Sequence, residues 1–115
     1  MNTDQEIENE IVAKGLTAPR VTPADIEAAI VAQHFFTAGE ASAVATPTQP
    51  VHPSLGLLTF CVLVLSNGFT VTGESACASP ENFNAEIGRM LARQNAVQKI
   101  WPLLGFALRN KLAGL

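Results

Sequence analysis

The sequence predicts an α+β domain: a small antiparallel sheet with an Asn-Gly hairpin, two short N-terminal helices and a long C-terminal helix broken at Pro102. Three observations lead there. Asn67-Gly68 stands between two β-prone runs, LLTFCVLVLS and FTVTGESA, and that dipeptide in that setting is the strongest short hairpin signal. Thr22-Pro23, with Asp25 at the third helical position, reads as a capped helix start. After Ser79-Pro80 the residues Phe83, Ile87, Met90, Leu91, Val97 and Trp101 recur at helical spacing. A chain of 115 residues suits one domain, 1–115, with a real core.

Taken in order, Asp4 to Lys14 forms a first short helix on Ile7, Ile11 and Val12, stopped by Gly15. The second helix starts at Thr22-Pro23 and takes Ile26, Ile30 and Val31 as its apolar edge. A short β-prone piece, HFFT, covers 34–37. From about 38 to 54 the chain reads as a Pro-rich loop holding Pro47, Pro50 and Pro53. With Asn67-Gly68 as a two-residue turn, Ser66 pairs with Phe69. Leu58, Phe60, Val62, Val64, Phe69 and Val71 then line one face as core, and the other face is apolar enough to need a cover. That register sets Cys61 and Cys77 on opposite faces, against a disulfide and in favour of buried thiols. The long helix opens at Ser79-Pro80 and reaches about Trp101. Pro102 interrupts it, and a second segment on Leu104, Leu108 and Leu112 runs to about Ala113.

Composition narrows the function. The chain is 48% hydrophobic and 15% charged, which excludes global disorder and hints at surface covered by other subunits. The run Leu55–Leu65 is too short to span a bilayer, and the acidic start MNTDQEIENE is no signal peptide, so a cytoplasmic, membrane-free protein is expected. Charge is strongly split: the ten acids end at Glu86, and five of the seven basic residues follow it, leaving +5 after Glu86 and −8 before it. Such a tail either neutralises acidic helices of its own or of a neighbouring subunit, or it holds an anion. A pI near 5.2 without a long basic run argues against DNA.

Nothing in the sequence assembles a catalytic group. There is no nucleophile elbow, P-loop or GxGxxG, and His34 and His52 stand alone. The two cysteines form no CxxC, so neither a metal site nor a cofactor is expected. What remains is a binding constellation. A helix N-terminus near Ser79–Phe83 favours an anion, and Asn82 and Asn84 add amides. Phe83 is either a core residue or a ring on which a base stacks. Arg89, Arg93 and Arg109 can bind phosphate in bidentate fashion.

The motif NGF-x-V-x-G-x-SAC-x-xP-x-NF, followed by IGR-x-x-AR-x-x-A-x-x-KIWPL-x-G-x-x-LR, runs from Asn67 to Arg109. Together with VTPADIEAAI it resembles a family of short phage and prophage proteins named after gene forty-nine and gene sixty-six products. It also resembles the first described type of Thoeris anti-defence sponge. That likeness implies a non-enzymatic protein that sequesters cyclic ADP-ribose isomers made by bacterial TIR-domain sensors. It also implies a homo-oligomer, dimer or hexamer, with cyclic oligonucleotides as further ligands. Phe83 and Arg109 match the aromatic and arginine positions of the likeness, which puts the pocket at a subunit boundary. Asn82, Arg89 and Arg93 join them on chemical grounds alone, and the Pro-rich loop finds no match. The rival readings are a phage accessory protein that binds a host protein and a cyclic-nucleotide hydrolase.

Overall fold

The computed structural model describes residues 3–115. In chain order it holds α1 (Asp4–Ala13), α2 (Pro23–Ala29), β1 (Ile30–Thr37), α3 (Ala38–Ala45), β2 (Leu58–Leu65), β3 (Thr70–Ala76) and α4 (Ala85–Leu112). Single 3₁₀ turns at Pro53–Leu57 and Pro80–Asn82 precede β2 and α4. The three strands form one antiparallel sheet in the order β1-β2-β3.

Each of the first three helices opens on a capping box: Thr3 with Glu6, Thr22 with Asp25, Thr37 with Glu40. In each, the threonine hydroxyl accepts the third backbone N–H while the carboxylate accepts the N–H of the cap. These reciprocal bonds satisfy donors that a helix start otherwise leaves open. The third box makes α3 out of the first half of the expected Pro-rich loop, leaving a connection at 46–52. Strand β1 begins at Ile30, so Ile30 and Val31 belong to the sheet and not to the second helix.

The hairpin register is one residue from the expected one. The Leu65 carbonyl accepts the Gly68 N–H at 2.8 Å, and the Leu65 N–H donates to the Phe69 carbonyl at 2.8 Å. Asn67 Oδ1 accepts the Phe69 N–H at 2.9 Å, and Gly68 alone takes a positive φ, 87°. This is a three-residue loop with Gly68 in the left-handed position, not a two-residue type I′ turn. Leu63 therefore lies opposite Val71 and Val64 opposite Thr70. A one-residue slip exchanges the faces of a strand. The core face of β2 is Thr59, Cys61, Leu63 and Leu65, while Leu58, Phe60, Val62 and Val64 are half-buried on the outer face and Phe69 is exposed. Cys61 and Cys77 consequently share a face. Cys61 is opposite Gly73, four positions from Cys77, or about 13 Å along the strand, and both thiols are free. Burial pushes the Cys61 thiol up; Cys77 is only half-buried.

Helix α4 is the cover that the second face requires. Ala92, Ala96, Val97 and Ile100 are buried against Cys61, Leu63, Leu65 and Val71, with Ile26 of α2 closing one end. Gly73 makes this close contact possible: a Cβ there would lie 2.2 Å from the Ala92 carbonyl oxygen and 2.3 Å from the Ala96 nitrogen. The helix also continues past the expected break, with Pro102 inside it. Proline removes one i→i−4 bond, and the turns before it are clamped on the sheet through Ala96 and Ile100. The last turns extend beyond the sheet, where Phe106 is 70% and Leu112 52% exposed. The radius of gyration of 17.7 Å reflects that projection, against roughly 13 Å for a compact chain of this length.

Candidate functional site

The chain from Cys77 to Asn84 carries β3 back to the start of α4 and shapes a cavity of about 280 Å³. Ser79 makes no side-chain cap. Its carbonyl instead accepts the Asn82 N–H at 3.0 Å and the Cys77 thiol at 3.2 Å, folding Pro80–Asn82 into a 3₁₀ turn. Phe83 closes that turn in an extended conformation, φ −66° and ψ 128°. Asn84 then caps α4, its Oδ1 accepting the Ile87 N–H at 3.0 Å. The helix N-terminus thus lies at Asn84–Ala85, several residues after the expected Ser79. Capping commits the Asn84 oxygen, whereas Asn82 is exposed on the cavity rim.

Phe83 neither fills the core nor stands free. It is half-buried, outside the core cluster, and its ring edge leans on Gly88, Cε1 lying 3.9 Å from where a Cβ would stand. It forms a wall of the 280 Å³ cavity and of a second one of about 160 Å³ bounded by Phe35, Thr37, Glu40 and Arg89. Thr59 lines both cavities. The Glu40 carboxyl is held below its ordinary range, first by the Thr37 backbone N–H, then by the Thr37 hydroxyl, with a smaller contribution from the Arg89 charge.

Of the expected site residues, Phe83, Asn82 and Arg89 come together around these cavities. Arg93 does not join them. Its Nε donates to Gln33 Oε1 at 2.9 Å, and its two terminal nitrogens reach the Glu27 carboxylate at 3.2 and 2.8 Å. That fork, which raises the Arg93 pKa chiefly through the Glu27 hydrogen bonds, ties α4 to α2 and β1. Replacing Arg93 by Ala is expected to lower the unfolding free energy slightly, by at most about 1 kcal/mol, because Glu27 is largely exposed. Equilibrium urea unfolding measures it. Arg109 is exposed near the far end of α4, 24 residues after Ala85, or about 36 Å along the helix axis. One chain therefore cannot place Phe83 and Arg109 on the same small ligand.

Two residues that the sequence reading did not single out for the site complete it. Thr59 is a hydroxyl among the apolar core positions of β2, and Gly88 is a glycine in the first turn of a long helix. Each breaks the local pattern of its element, which is the signal that sequence reasoning could have used.

Among the described residues no group of acids, histidines and cysteines is placed to hold a metal ion, and no helix is long and apolar enough to cross a membrane. No curated protein and no solved structure matches the chain. One family model does, over residues 21–112, a span that takes in α2 through α4 and every candidate site residue and leaves α1 outside. The chain belongs to the Phage protein (N4 Gp49/phage Sf6 gene 66) family.

Proposed function

We propose that this phage-family protein is an anti-defence sponge in the cytoplasm of the host bacterium, binding cyclic ADP-ribose-type immune signals and holding them without cleavage. The observation that carries the reading is Phe83. Its ring is held at the edge of a cavity with Asn82 at the rim, and an aromatic wall beside hydrogen-bonding groups is what a stacked base requires. Arg89, in the adjoining cavity, supplies a cation on the same chain. Arg109 enters the site only from a second copy. The resemblance of the Asn67–Arg109 motif to the Thoeris sponge points to the same ligand class, with cyclic oligonucleotides as a further possibility for the assembly.

A homo-oligomer follows from this reading. Ile87, Met90 and Leu91 are exposed on α4 near the cavity, and Leu112 is exposed near its far end. Antiparallel packing of α4 against α4 of a second copy would cover both sets and bring Arg109 of that copy toward Phe83. The exposed Phe106 favours a second reading, an accessory protein that docks on a host factor.

The test is retention and release. The protein is mixed with the cyclic ADP-ribose isomer made by a TIR-domain enzyme, washed, heated, and the supernatant assayed. Intact ligand is expected. Degraded ligand would make the protein a hydrolase, and no retention sinks the sponge.

A further inference from the structure

Among the described residues Thr59 is the one buried polar residue, 3% exposed, at a β2 position whose core neighbours are Cys61, Leu63 and Leu65. None of the side-chain hydrogen bonds among the described residues uses its hydroxyl, and among those residues no sealed side-chain N or O lacks a partner. It keeps contact with the cavities that it lines on either side of Phe83. Without a protein partner, the hydroxyl has only what enters those cavities to hydrogen-bond, whereas an isosteric valine would need no partner.

Gly88 stands directly over it. A Cβ at Gly88 would come within 2.9 Å of Thr59 Oγ1 and 3.6 Å of Thr59 Cβ. The φ of Gly88 is not in the left-handed region, so backbone conformation does not call for glycine there, and inside a helix glycine is less favourable than alanine. Glycine lets the α4 backbone come down onto Thr59, where a methyl group would collide with the hydroxyl. Two residues from distant parts of the chain thus meet beside Phe83, with which Thr59 lines both cavities.

We infer that Thr59 is a specificity-determining residue of this site: its hydroxyl hydrogen-bonds the polar edge of a single heterocyclic ring lying against Phe83. About 280 Å³ lies just under the lower end of the roughly 300–1,000 Å³ of pockets that enclose a whole drug-sized ligand. One ring enters, and the sugar and phosphate groups stay outside, within reach of arginine. The identity of the ligand rests on the sponge reading; the role of Thr59 rests on the cavity.

Isothermal titration of the full chain with the TIR-made cyclic ADP-ribose isomer tests it, beside thermal melts of each variant. Thr59→Val is expected to weaken binding about tenfold, the effect of one lost hydrogen bond of the stronger kind, while its thermal midpoint holds or rises. Thr59→Ser, which keeps the hydroxyl, should bind within about threefold of the parent. Gly88→Ala should weaken binding as Thr59→Val does, because its methyl group takes the space over the hydroxyl. Parent-like binding by Thr59→Val overturns the inference alone. Equal losses of affinity and midpoint in both the Val and the Ser variants also overturn it, since the residue would then be structural. Failure of the unsubstituted chain to bind overturns the sponge reading itself.

Discussion

Gly73→Ala is expected to destabilise the fold by about 3 kcal/mol, the largest effect of a methyl group added at any glycine of this chain. Its Cβ would be 2.2 Å from the Ala92 carbonyl oxygen, 2.3 Å from the Ala96 nitrogen and 2.9 Å from the Ala96 Cα. All three are backbone atoms of α4, so no rotamer change relieves the overlap; the helix must lift off the sheet. Lifting it opens the contact that buries Ala92, Ala96, Val97 and Ile100, at roughly 25 cal/mol for each Å² of apolar surface re-exposed. Gly105→Ala is the matched control. It lies inside the same helix with nothing within 4 Å of the added carbon, so helix propensity alone should raise stability by about 0.5–1 kcal/mol. Urea unfolding of the two variants should move the midpoint in opposite directions. An unshifted midpoint for Gly73→Ala would mean that α4 does not lie this close to β3.

How much of this was readable in advance depended on whether a local signal had one physical meaning. The Thr22-Pro23-Asp25 start has one, and α2 begins where it says. Thr37-Ala-Gly-Glu40 is the same kind of signal, but prolines downstream drew the whole stretch into a loop. Asn67-Gly68 has two meanings, because a glycine with positive φ serves both a two-residue I′ turn and a three-residue loop. The dipeptide located the hairpin and left its register open, and the register decides which face of β2 meets α4. Pro102 was ambiguous in another way: proline forfeits one bond, and tertiary contacts decide whether a helix survives that.

For the site, Arg89 and Arg93 look equivalent at a spacing of four. Only the fold separates them, sending Arg93 to Glu27 and Gln33 and Arg89 to the cavity beside Glu40. The direction of Phe83 was unreadable because it lies in the connection between two elements, where no periodicity fixes a side chain. Arg109 shows the converse limit. Sequence likeness places it with Phe83, whereas helix geometry keeps the two at opposite ends of α4, so the two meet on one ligand only in the proposed assembly of two chains.

Phe83→Ala should separate binding from folding. Stacking on an aromatic ring contributes about 1–3 kcal/mol per base, so retention of the cyclic nucleotide should fall roughly 5- to 150-fold. Removing the ring also takes away a wall shared by both cavities, so the ligand loses its orientation as well as a contact surface. The effect on stability should be smaller than for Ile100→Ala, where a side chain with no exposure is deleted from the core at about 2–5 kcal/mol. Phe83 is only half-buried and lies outside that core cluster, so less apolar burial is lost with it. Phe83→Tyr, which keeps the stacking face, should retain ligand nearly as the parent does. If Phe83→Ala unfolds as readily as Ile100→Ala, the ring is a structural plug and the cavity beside it belongs to packing. If it folds and still retains ligand at full strength, the binding site lies elsewhere on the protein.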